Sequence, residues 1–128
     1  MILVFLAACS TETQEFRITG EWRIFRADHG SGQGFDRSAG VVWVFAGNRE
    51  EGEISAAVSF LNGTYRVRGR AVDMEVVSGR GPLWFRTEYE GIVTGDDSMQ
   101  GRYEGREISS NSETGGAYSG TWWAIRQK

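Results

Sequence analysis

The chain has 128 residues, of which 18 are Gly and one is Pro, so glycine runs at about twice its ~7% average share without the triplet period of collagen. An apolar fraction of 40%, with 5 Trp, 4 Tyr and 7 Phe, is enough to close one core, which excludes wholesale disorder and suits a single domain. The net charge is −3, with 17 acids against 13 Arg and 1 Lys spread along the chain, so nucleic acid finds no basic stripe. One Cys and one His exclude a disulfide framework and a Cys/His metal cluster, and a Ser/His/Asp site would rest on His29 alone.

Residues 1–8, Met-Ile-Leu-Val-Phe-Leu-Ala-Ala, form an uninterrupted apolar run that ends at Cys9. The run is too short to span a bilayer. It reads as the h-region of a secretory signal, with small residues before the cut. Leu6-Ala7-Ala8-Cys9 resembles the lipobox of bacterial lipoproteins, which implies that Cys9 is acylated and begins a mature chain. Such a chain is held at the membrane through its lipid anchor only, in the cell envelope, facing the periplasm or the exterior. Ser10 resembles the residue that sends lipoproteins on to an outer membrane. Polar residues 9–15 then act as a tether, and the folded domain is expected over 16–128. A buried strand from Ile2 to Ala8, with Cys9 a small core residue, is the alternative reading.

From Phe16 onward no helical period persists, while short alternating runs rich in Val, Tyr, Trp and Phe recur between Gly, Asn and Asp, the pattern of an all-β chain. Strand one is expected over Phe16 to Ala27, with Trp22 and Ile24 on one face and Arg23 and Phe25 on the other. Asp28 to Ala39, with Gly30, Gly32 and Gly34, is the one long loop. Strand two, Gly40 to Gly47, has two apolar faces. After Asn48 to Gly52, strand three alternates Ile54, Ala56, Val58 and Phe60 with Glu53, Ser55, Ala57 and Ser59. Asn62-Gly63 carries the residues of a type I′ hairpin turn, in which both central positions need φ > 0. Strand four follows with Tyr65 and Val67, and a tight turn at Gly69-Arg70 resets the phase for Val72, Met74 and Val76 in strand five.

Pro82 precedes strand six, Leu83 to Gly95, where its missing N–H does no harm. Asp96-Asp97-Ser98 turns into strand seven, Met99 to Ile108. The polar loop Ser109 to Gly116 leads to the last strand, Ala117 to Gln127. Eight strands joined mostly by short hairpins leave two sheet edges, and closing them into an antiparallel up-and-down meander barrel removes both.

Thr19-Gly20-Glu21-Trp22 opens this barrel, and Gly120-Thr121-Trp122-Trp123-Ala124-Ile125-Arg126 closes it. The pairing resembles the calycin pattern of lipocalins and avidins, in which a Gly-x-Trp begins the barrel and an Arg near its end packs across the Trp ring. Gly-Thr-Tyr at residues 63–65 and Gly-x-Tyr at 101–103 look like the repeats of the same families. The resemblance implies a structural pair, Trp22 and Arg126, with the guanidinium on the indole face at one end of the barrel.

The chemistry is sparse. Gly30-Ser31-Gly32-Gln33-Gly34 lacks the Lys-Ser/Thr ending of a phosphate loop. Asp28-His29 has no specified nucleophile, and Asp96-Asp97 offers too few oxygens for calcium. No metal, cofactor or catalytic residue is assigned. Arg66 and Arg68 are expected to face Glu53, Asp73 and Glu75 on an outer face. Arg86 and Glu88 share a face with Trp84, so strand six is read as placing polar groups in an apolar cavity, the usual make-up of a small-molecule site. The candidate lining is Trp43, Phe60, Tyr65, Trp84, Arg86, Glu88 and Tyr103. Three functions stay open. One is uptake of a small apolar or amphipathic molecule in the barrel mouth. Another is binding of an envelope protein, as by a periplasmic enzyme inhibitor, which a filled barrel favours. The third is a small barrel cyclase resembling allene oxide cyclase, with Glu88 as its interior acid.

Overall fold

The computed structural model describes residues 16–28, 40–56, 60–80, 82–108 and 117–128. Cys9 with its signal and tether, His29 and the glycine loop around it, Val58, and the 109–116 loop lie outside the described residues. The strands are β1 (Gly20–Asp28), β2 (Val41–Gly47), β3 (Glu51–Ala56), β4 (Phe60–Arg68), β5 (Ala71–Arg80), β6 (Leu83–Gly95), β7 (Ser98–Glu107) and β8 (Ala117–Arg126). Each pairs antiparallel with its neighbour in sequence, and β1 pairs with β8, so the sheet is a closed eight-stranded meander barrel. Partners followed from Gly20 through Phe45, Ile54, Gly63, Val76, Thr87, Gly105 and Tyr118 return to β1 beyond Asp28 rather than at Gly20. That stagger is the strand tilt a barrel needs in order to close.

Alternation along each strand sends one parity inward. Trp22, Phe45, Ile54, Val72, Val76, Met99 and Trp122 are buried in a common core, each large side chain adding about 1.5–3 kcal/mol by leaving water. All four tyrosines of the chain, Tyr65, Tyr89, Tyr103 and Tyr118, stand on this inner parity, the first three buried and the last half-buried.

Three local expectations are corrected. Residues 16–19 are not strand; they turn across the barrel end, with Ile18 fully buried and its carbonyl accepting the Trp22 indole N–H at 2.8 Å. Asn62-Gly63 is not a turn but lies inside β4, with Asn62 opposite Ser55 and Val77 and no positive φ at either residue. Glycine stands at 63 because the neighbouring strand comes close: a Cβ there would sit 2.6 Å from the Glu75 carbonyl oxygen. Starting β4 at residue 60 puts Phe60 on the outer parity, 69% exposed, instead of on the inner face with Ile54. On the outer face Arg66 is opposite Glu51 and Asp73, while Arg68 is opposite Ala71 and Glu53 opposite Thr64. The turn that does obey local rules is Gly69-Arg70, a two-residue hairpin with Gly69 at φ 61° in its first central position.

The interior glycines answer to the aromatics. Gly91 and Gly101 face each other, and a Cβ on Gly91 would meet the Trp122 ring at 2.7 Å while one on Gly101 would meet the Glu90 carbonyl oxygen at 1.9 Å. Gly101→Ala is therefore expected to cost about 2–3 kcal/mol or more through overpacking. Asn62→Ala, on an exposed extended residue, should change stability by less than about 0.5 kcal/mol. Urea unfolding of both variants checks the pair; a cost above about 1 kcal/mol for Asn62→Ala would restore the turn that the register denies.

Candidate functional site

Trp22 and Arg26 are four residues apart, and so are Trp122 and Arg126. In a strand an even offset keeps two side chains on one face. Antiparallel pairing then sets Trp22 opposite Arg126 and Arg26 opposite Trp122. The seam between the first and last strands thus carries a tryptophan–arginine pair at each end, all four on the inner parity.

At the first of these ends the Arg126 guanidinium lies 4.5 Å from the Trp22 ring centroid and 5.9 Å from that of Phe16. Phe16 itself tilts against Trp22 at 5.9 Å. Nε of Arg126 donates to Asp97 Oδ1 at 2.8 Å and Nη1 to the Thr19 carbonyl at 3.0 Å, while Nη2 donates to the carbonyls of Arg17 and Asp96. One side chain therefore ties the entering chain and the β6–β7 turn to the last strand, and this end is plugged. Lys128 also reaches Asp97, at 3.0 Å. The hydrogen bonds from Lys128 and Arg126, outweighing partial desolvation, hold the Asp97 carboxyl below its ordinary range.

At the far end, where β1 finishes and β2 begins, the interior is aromatic and hydroxylated. Arg26 Nη1 donates to the Tyr89 hydroxyl at 2.6 Å, and its guanidinium lies 4.6 Å from the Tyr103 ring centroid and 5.6 Å from that of Tyr118. Tyr118 and buried Thr87 share a hydrogen bond of 2.6 Å. Trp43 and Trp122 meet the Tyr89 ring edge to face at 5.3 and 5.9 Å. The Tyr103 hydroxyl is buried and has no hydrogen-bond partner among the described residues.

The candidate lining divides accordingly. Trp43 and Tyr103 meet around Tyr89 in the far-end cluster. Tyr65 is buried too, but its hydroxyl donates to the Asn48 carbonyl at 2.6 Å, in the β2–β3 turn at the plugged end; burial raises its pKa. Phe60, Trp84, Arg86 and Glu88 stand on the outer parity. Phe60 and Trp84 touch edge to face at 5.6 Å across Gly79, and Arg86 makes an exposed ion pair with Glu75 at 3.7 Å. Reading Arg86 and Glu88 as interior is thus corrected, because Thr87, Tyr89 and Val93 are the buried parity of β6. Glu88 is likewise not an interior acid.

Arg26 is the residue the sequence reading passed over. The signal was there: Arg26 shares Trp22's parity, and the Trp-x-x-x-Arg spacing of strand one recurs in the last strand. Among the described residues no group of three or more His, Cys, Asp or Glu side chains is arranged to hold a metal ion. Comparison with family models, curated proteins and solved structures returns no match.

At the plugged end, Trp22→Ala is expected to cost about 3–5 kcal/mol through its cavity. Arg126→Ala should cost about 1–3 kcal/mol through the lost ring stacking and hydrogen bonds. The two share one contact, so the double variant should fall short of their sum by about 1 kcal/mol or more. Denaturant unfolding of the four proteins measures that coupling, and strict additivity would contradict it.

The same end responds to acid. A carboxyl that titrates lower in the native state than in the unfolded chain adds stability that is complete above about pH 4 and lost as pH falls through the native value. Thermal melts of the parent and Asp97→Asn should therefore diverge above about pH 4 and converge as the pH falls through the native value. A constant gap at every pH would exclude this origin.

Proposed function

We propose that the chain is a bacterial cell-envelope lipoprotein, anchored through an acylated Cys9, whose lipocalin- or avidin-like barrel takes up one small apolar or amphipathic molecule at the far end. The supporting observation is the gathering of Arg26, Thr87 and the hydroxyls of Tyr89, Tyr103 and Tyr118 in an otherwise aromatic interior. A few polar groups within an apolar concavity are what small-molecule sites are commonly made of. Residues 9–15, the proposed tether, precede Phe16 in the sequence, and Phe16 lies beside the Arg126 plug, so the anchor would join the barrel at the end opposite the ligand.

A second reading has its own observation. Trp22, Trp43, Phe45 and Trp122 occupy much of the interior, and a barrel filled with side chains suits a module that binds an envelope protein through its outer face and loops. The aromatic pairs Phe25–Trp123, stacked at 5.4 Å, and Phe60–Trp84 lie on that outer face.

Native mass spectrometry of protein extracted from the membrane fraction separates the two. The ligand reading expects added mass from one small molecule, lost when the protein is unfolded. A bare protein mass together with a stoichiometric protein partner would replace it with the second reading. Cys9→Ala should release the chain from the membrane fraction without lowering its melting temperature, and retention of that variant in membranes would refute the lipid anchor.

A further inference from the structure

On the outer parity of β5 to β8 the register lines up two neighbouring rows across four strands. Asp73, Glu90, Arg102 and Thr121 form one row, and Ala71, Ile92, Gln100 and Trp123 form the other. An open cleft of about 710 Å³ runs along them, with Gly91 and Gly101 between the rows. The second row continues from Trp123 to Phe25 on β1, and the two rings stack at 5.4 Å with 7° between their planes. Phe25 thus covers the β1 side of the indole and holds its plane, so the opposite face is presented to the cleft before anything binds. Ile92, 51% exposed, adds apolar surface one strand beyond Gln100. Among the described residues none of Asp73, Glu90, Gln100, Arg102 and Thr121 uses its side chain in an ion pair or hydrogen bond, although Glu90 and Arg102 are directly opposite.

A cleft with an aromatic wall at one end and a row of free donors and acceptors along it fits a sugar, whose ring has C–H faces and a rim of hydroxyls. Other occupants fit worse. A peptide strand finds no sheet edge to extend, because the barrel is closed. Two carboxylates against one guanidinium disfavour an anion. Glu90 and Asp73 stand two and three strands from Trp123, about 10 and 14 Å away, so one small cation cannot engage the ring and the carboxylates together. A wholly apolar molecule would strip water from the charged row. The four strands span about 14 Å, room for a short oligosaccharide.

We propose that the outer face of β5 to β8 binds a neutral oligosaccharide, one ring of it stacked on Trp123 beside Gln100, Arg102 and Thr121, and the rest running across the strands towards Glu90 and Asp73. The site is separate from the barrel interior and depends on neither reading of it. Cellotriose, maltotriose and chitotriose, neutral trisaccharides that differ in linkage and substituent, are titrated into the isotope-labelled full chain and followed by amide and indole NMR shifts, with trilysine as a charged comparison. At least one trisaccharide is expected to bind saturably with a Kd below about 10 mM, shifting the Trp123 indole N–H and the amides of Gln100, Arg102 and Thr121. Trp123→Ala should weaken that sugar at least about tenfold and Arg102→Ala about threefold, while Ile125→Ala, on the same outer face but outside the cleft, leaves it unchanged. Arg102 is exposed, so its replacement leaves the fold intact and reports on binding even if Trp123→Ala loosens the barrel. Four outcomes would each overturn the proposal: no trisaccharide binding below about 10 mM, shifts that map to the far end instead of the cleft, binding undiminished by Trp123→Ala and Arg102→Ala, or tighter binding of trilysine than of every sugar. The last would assign the cleft to a basic peptide.

Discussion

Everything in this barrel depends on the first strand finding the last. The β1–β8 seam runs from Trp22 opposite Arg126 to Asp28 opposite Gly120, and it joins segments separated by nearly the whole domain. Loop-closure entropy grows only slowly with length, so the seam is affordable once the meander is built, but it rewards the chain late, as non-local pairing does. Without it the sheet would present two unpaired edges. With it, the Trp-x-x-x-Arg segments of the two strands are brought into reciprocal register, and the two ends of the interior acquire different characters from the same residue types.

The difference lies in what surrounds each guanidinium. Arg126 meets carbonyls and the Asp97 carboxylate, acceptors supplied by the entering chain and a hairpin turn, and it becomes a fastener. Arg26 meets the ring faces of Tyr103 and Tyr118 and the Tyr89 hydroxyl, and it becomes part of an aromatic cluster. Glycine makes both arrangements possible. Trp122 lies over Gly91 and Tyr118 over Gly105, so the rings fill the volume that the missing side chains leave, and a glycine-rich strand becomes a close-packed wall.

The fold class was legible because period-two alternation is a global property of strands, and eight such runs with short connections have few ways to hide their edges. Trp22 and Arg126 were legible for the same reason, through parity. What misled was local. Asn62-Gly63 has the chemistry of a hairpin turn, yet the close approach of Glu75 and Val76 uses the glycine for space rather than for φ. Strand six is aromatic on both faces, with Trp84 on one and Phe85 and Tyr89 on the other, so its parity was ambiguous where the candidate site was drawn. Arg26 was hidden by its charge: near a strand end, an arginine is ordinarily solvated surface, and only its counterpart in the last strand marks it as interior.

Native-state hydrogen exchange across the seam tests the closed barrel most directly, since amides in fully paired strands exchange only through large-scale opening. The backbone amides of Arg23, Phe25, Trp123 and Ile125, which point across the seam, are predicted to exchange as slowly as those of Val72, Met74 and Tyr89 in the middle of the sheet. Rapid exchange confined to β1 and β8, with β4 to β7 protected, would mean that the sheet is open at this seam, and the reciprocal arginine pairs would lose their basis.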